Sequence, residues 1–162
     1  MKNMNNEVIL SESVVPVGKL LIEIRDAKTG KLKSSDLVDN MFVTTGKNAI
    51  ASRLIGTTSN NKGIITYCAL GTSSVAPALT DTILAAELAR KLVSVRSVSG
   101  KVATFQTFFT TSEGNGTLAE AGLFGDDASA TADTGTLFCR TNINRTKTAS
   151  DTLTLTWTVT IS

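Results

Sequence analysis

Residues 151–161 read Asp-Thr-Leu-Thr-Leu-Thr-Trp-Thr-Val-Thr-Ile, and no other stretch constrains the fold as strongly. Leu153, Leu155, Trp157, Val159 and Ile161 share one parity, and Thr152, Thr154, Thr156, Thr158 and Thr160 share the other. Side chains alternate across a strand, so this spelling gives one apolar face and one face of hydroxyls. Helical spacing would scatter the same residues around a whole circumference, and the branched Cβ of threonine suits a pleated surface. An apolar face this long needs a second layer to cover it. The five apolar residues are therefore the expected core anchor, with the only tryptophan at its centre, and the rest of the chain must supply the cover.

The chain of 162 residues is long enough for one domain with a real core. Residues 1–17 read as an extended N-terminal arm. Val8, Ile9, Leu10, Val14, Val15 and Val17 are its apolar residues, interrupted by Ser11-Glu12-Ser13. Such a segment has too few partners to fold alone and suits strand addition to a partner's edge. Residues 18–162 read as the folded domain. Gly18 to Asp26 alternates, the turn Asp26-Ala-Lys-Thr-Gly30 reverses it, and Asp36 to Val43 continues the return. Thr44 to Gly56 carries a threonine cap, helical spacing of Ile50, Ala51 and Leu54, and a closing glycine. Gly63 to Gly71 is an apolar, central strand. Thr80-Asp81-Thr82 is expected to cap a short helical turn through Leu88. Arg90–Val98 and Lys101–Thr110 flank Ser99-Gly100 as a hairpin, and Thr117–Phe124 and Gly135–Ile143 complete the strands. The expected fold is all-β: a jelly-roll-like antiparallel β-sandwich of about eight strands with one or two short helices and the extended arm.

The inventory excludes much chemistry. Histidine is absent, which removes the commonest general base and most zinc sites. Cys68 and Cys139 lie far apart without a metal-binding spacing and read as buried thiols rather than a disulfide. The net charge is +2 with dispersed basic residues, so no nucleic-acid stripe is indicated. No apolar run approaches the roughly 18 residues that span a bilayer, and no secretory signal stands at the N-terminus. Gly114-Asn115-Gly116 lacks the neighbours of a phosphate-binding loop and reads as a tight turn. Asp126, Asp127 and Asp133 match no calcium-loop spacing. Glu87, Glu113 and Glu120 are the carboxylates open to a glycosidase-type pair, but they fall on different elements. Glu120 sits inside an otherwise apolar strand, and either faces solvent or forms a structural ion pair with Arg140. No catalytic residue, cofactor or metal is expected.

Several motifs are shared with a known class. They are Ile65-Thr-Tyr-Cys-Ala-Leu-Gly-Thr72, Ala76-Pro77, Thr80-Asp81-Thr82, Leu84-Ala-Ala-Glu87-Leu-Ala-Arg90, Glu120-Ala-Gly-Leu-Phe124, Gly135-Thr-Leu-Phe-Cys-Arg140 and the terminal threonine-alternating strand. Across residues 40–162 the chain resembles small β-sandwich virion proteins of tailed bacteriophages, of the capsid decoration or cement type. The resemblance implies a non-enzymatic structural protein, made in the bacterial host cytoplasm and seated on the outer capsid surface. There it would bridge and stabilise subunits of the major capsid protein, as a homo-oligomer resembling the trimers of that class. Collar, head-fibre or tail-tip roles are the alternatives within the same class, and a carbohydrate-acting sandwich enzyme is the alternative outside it.

Overall fold

A computed structural model describes residues 15–54 and 63–161. The chain runs β1 (Pro16–Asp26), β2 (Leu32–Phe42), α1 (Thr44–Leu54), β3 (Ile65–Gly71), β4 (Glu87–Leu92), β5 (Val95–Ser99), β6 (Val102–Phe109), β7 (Gly116–Gly125), β8 (Thr136–Lys147) and β9 (Asp151–Ile161). All ladders are antiparallel, in one nine-stranded sheet of order β4-β3-β7-β8-β2-β1-β9-β6-β5. The sheet curls so that its two halves face each other over a shared core. One sheet thus supplies both layers of the sandwich. The nested pairs β1–β9, β2–β8 and β3–β7 are those of a long hairpin wrapped on itself, which is the jelly-roll-like element of the topology.

The threonine-alternating strand behaves as its spelling dictates. Leu153, Leu155 and Trp157 are fully buried and Val159 nearly so. Across the ladder Leu20, Ile22 and Ile24 stand opposite Trp157, Leu155 and Leu153, and Phe105 and Phe109 flank them from β6. Ile161 departs from the expected anchor: it is 39% exposed. It pairs with Pro16 at the end of the ladder, where the opposite layer no longer covers the strand. Cover for the rest comes from the other half of the sheet, where Cys68, Leu70, Ala121, Leu123, Cys139 and Ile143 point inward. The Cys68 thiol meets the side chains of Trp157 and Thr107, so the layers touch at mid-core.

Only Met41 and Phe42 of β2 pair with β8. The sheet turns its corner there, and a second corner lies between β4 and β5. The expected single strand Arg90–Val98 is broken at Val93-Ser94, because the Val93 amide bonds Thr66 O in one layer and the Ser94 amide bonds Gln106 O in the other. This break raises the strand count to nine.

Helix α1 begins at the expected Thr44, and the Thr45 hydroxyl bonds Leu137 O at 2.8 Å. A side chain at Gly46 would collide with the Phe138 backbone, so glycine is what lets the helix lie on β8. The expected close at Gly56 falls outside the described residues, as do Val8, Ile9, Leu10 and Val14 of the arm. Val15 and Val17 are described and exposed. Val17 already pairs with Thr160, so the sheet begins inside the stretch read as arm.

The helical turn expected at 80–88 is absent. Ala85 and Ala86 give their amides to the Glu120 carboxylate at 3.0 and 2.7 Å, which takes two of the donors a helical turn would use, and the chain enters β4 at Glu87 instead. No helix among the described residues is long and apolar enough to cross a membrane.

Candidate functional site

One half of the sheet is covered on both faces. On its outer face Tyr67, Ala69 and Gly71 of β3 stand beside Phe124, Gly122 and Glu120 of β7, with Arg90 opposite Ala69 and Arg140 opposite Gly122. The loops 72–86 and 126–135 lie over this face. Leu84 inserts among Val43, Ala69, Phe124 and Leu137 to form a second apolar cluster. Glu120, Gly122 and Phe124 therefore lie beneath a lid of chain, in a strand whose burial is almost continuous.

Each loop is fastened by a buried guanidinium and a carboxylate. Glu120 is fully buried, and its Oε2 lies 2.8 Å from Arg140 Nη2, so the structure brings this predicted pair together. Arg140 also reaches Asp81 Oδ2 at 2.8 Å and Val75 O at 3.1 Å. Asp81 in turn accepts the Ala78 amide at 2.8 Å. With the two amides bound by Glu120, four of these contacts anchor loop 72–86 to β7 and β8. The second clasp is Arg90 with Glu87, through Nε–Oε1 at 2.5 Å and Nη2–Oε2 at 2.7 Å. Arg90 Nη1 bonds Thr134 O at 2.9 Å and Ser129 O at 3.2 Å, and its guanidinium lies 4.6 Å from the Phe124 ring centre. A planar, always-charged fork suits this combination of bidentate pairing and ring contact.

The carboxylates considered for catalysis are thus consumed separately. Glu120 holds one loop and Glu87 the other. Glu113 binds Lys91 Nζ at 2.6 Å and the Thr110 amide at 2.8 Å. The Lys91 ammonium beside it, with the Thr110 amide, holds its carboxyl at a pKa of about 2. Asp151 is held at about 2 by Lys33, 2.6 Å away, and by Thr148. Among the described residues no three acidic or cysteine side chains gather where a metal ion would sit. Asp126 accepts the Gly63 amide at 2.5 Å, the Asp133 amide points to Glu87, and both residues take positive φ as loop corners.

The cysteines remain apart. Cys68 of β3 and Cys139 of β8 both stand opposite Leu123 of β7, one on each side. Two strand spacings, roughly 9–10 Å, separate their backbones, beyond the reach of a disulfide. Burial pushes the Cys68 thiol up to about 12 and also raises Cys139, so neither is a ready thiolate.

An apolar groove of about 430 Å3 opens where the arm enters the fold, lined by Val15, Pro16, Ile50, Ala51, Leu54 and Ile161, with Lys47 at its edge. Exposure of Ile161, unexpected from its parity, is part of this surface. Sequence reading missed the Glu87–Arg90 clasp. The expected boundary between a helical turn ending at Leu88 and a strand opening at Arg90 falls between the two partners and hides the pair. Asp81, the expected helix cap, instead partners Arg140. No family model, curated protein or solved structure matches the chain.

Proposed function

We propose that this chain is a non-enzymatic structural protein of a bacteriophage virion, a capsid decoration protein that bridges major capsid subunits on the outer head surface. The observation that carries the reading is the use of its buried charge: Glu120 with Arg140 and Glu87 with Arg90 are spent on clamping loops, not on an open cleft. The resemblance across residues 40–162 supplies the identity of the partner. A curled sandwich with clamped loops is a rigid body, and rigidity limits the ordering cost of binding to a shell. The apolar groove beside Val15 and Pro16 offers aliphatic contact where β1 begins. Repetition of such modest contacts around a symmetric shell, as a homotrimer at each position, multiplies them into firm attachment.

Purified capsid shells stripped of surface proteins provide the test. Added protein is expected to occupy the outer surface at a fixed ratio to the major capsid protein and to raise the shell's disruption temperature. Charged substitutions in the arm, Val8→Asp with Ile9→Asp, are expected to weaken occupancy. Absence of binding by the unaltered protein rejects the proposal.

A further inference from the structure

Lys147 ends β8 with its side chain turned inward, and the residue is 1% exposed. Its Nζ donates to Asn115 Oδ1 at 2.7 Å. Asn115 Nδ2 donates to Thr111 O at 2.7 Å. The two bonds together assign the amide's orientation and hold Cγ beside the amine. The ladder pairs Lys147 with Gly116, next to Asn115, and the turn between Gly114 and Gly116 takes φ of 58° and 137° at those glycines. Amine and amide are therefore held by the sheet on one side and a constrained turn on the other. Burial lowers the pKa of Lys147 and favours the neutral amine, against the attraction of Asp151 and Glu113, the two carboxylates that face it.

We propose that Lys147 and Asn115 form an intramolecular isopeptide bond. The lone pair of the neutral Nζ attacks Cγ of Asn115, and the carbonyl pair moves onto Oδ1. Collapse of that intermediate expels Nδ2 as ammonia. The proton shed by the lysine passes to water and ends on the departing nitrogen, since Asp151 and Glu113 are held too acidic by Lys33 and Lys91 to carry it. The balance is one ammonium plus one carboxamide giving one amide plus one ammonium ion, with no oxidant, reductant or co-reactant. Asn115 is exposed, so the released ammonia has a path to solvent. Fixed proximity supplies the rate that an amine and an amide lack when free in water. The product ties the end of β8 to the turn before β7, between residues 32 apart in sequence. This site stands independently of the virion reading.

Mass spectrometry of the purified full-length protein tests it. The expected mass is about 17 Da below that of the sequence, the ammonia lost on bond formation. Trypsin is expected to yield a branched peptide joining residues 102–140 to residues 146–162, because the amidated Lys147 is no longer cut. Lys147→Arg and Asn115→Ala are each expected to restore the full mass. An unaltered mass with ordinary cleavage after Lys147 overturns the proposal. So does a mass loss that persists in Lys147→Arg and hydrolyses in mild alkali, since that identifies cyclisation of Asn115 onto the Gly116 nitrogen. Should Lys147→Arg fail to fold, the branched peptide of the unaltered protein decides the question by its presence or absence.

Discussion

Arg140→Met tests the central clasp. Methionine retains the apolar stem and removes the guanidinium, which is 2% exposed and binds Glu120, Asp81 and Val75 O. Glu120, at 0% exposure, then keeps only the Ala85 and Ala86 amides and no cation. Building a buried ion pair gains little over apolar packing, because desolvation offsets the attraction. Breaking one strands a charge and costs about 3–5 kcal/mol. A domain of this size loses about 2–4 °C of Tm per kcal/mol, so the expected fall is about 6–20 °C. The single tryptophan, Trp157, is fully buried and reports global unfolding by its emission in heat and urea. Hydrogen exchange reports the local consequence, with faster exchange expected at Ala85 and Ala86 than at β9.

The double variant Glu120→Leu with Arg140→Met separates a stranded charge from lost packing. It removes both buried charges, so its destabilisation is expected to fall short of the summed single effects by at least about 1 kcal/mol. A loss below about 1 kcal/mol in Arg140→Met refutes the reasoning. Strict additivity in the double variant, within about 0.5 kcal/mol, also refutes it.

Three further outcomes follow from the geometry. Glu113 and Asp151 hold folded pKa values of about 2, below their ordinary 4.5 and 3.8. Both are depressed, so the unfolded chain binds more protons between these limits, and their stabilisation is present above the ordinary values and lost as pH falls from 4.5 towards 2. Urea midpoints measured across that window should drop, and Asp151→Asn should flatten the drop; an unchanged slope sinks the assignment. Cys68 and Cys139 should ignore a thiol reagent in the native protein and both react in denaturant, with identical migration on reducing and non-reducing gels. A disulfide in the native protein contradicts the ladder register. Gly46→Ala drives a methyl into the Phe138 backbone and should cost about 1–3 kcal/mol in urea unfolding, where a neutral result shows that α1 does not rest on β8.

The legible half of the fold is the half with one wet face. In β1 and β9 the inner residues Leu20, Ile22, Leu153, Leu155 and Trp157 are buried while Lys19, Glu23 and the threonines face outward, and period two survives in the spelling. β7 and β8 lie under cover on both faces, and that signature disappears. Leu118, Ala121, Leu123 and Phe124 are all buried despite lying on both parities. Much of the cover is loop 72–86, whose Leu84, Ala85 and Ala86 lie more than thirty residues from the β7 side chains they meet, and no local window contains it. The corner at Val93-Ser94 was equally hidden, because both residues suit a strand and only their amide partners in opposite layers reveal the change.

The same double burial explains why a charge stands inside β7. A sheet face sealed by another strand satisfies the backbone groups of its cover through a ladder, but a face sealed by irregular chain does not. The loop 72–86 brings the amides of Ala78, Ala85 and Ala86 and the carbonyl of Val75 against this face. An aliphatic residue in place of Glu120 would leave the Ala85 and Ala86 amides unpaired, and one in place of Arg140 the Val75 carbonyl, at about 1–3 kcal/mol each. Glu120 and Asp81 accept from the three amides, and Arg140 donates to the carbonyl while neutralising the two acids. Gly71 lies beside Glu120, and a side chain there would meet the carboxylate at 2.5 Å, so β3 keeps a glycine to make room. The alternation is therefore broken at Glu120 because the layer above it is a loop.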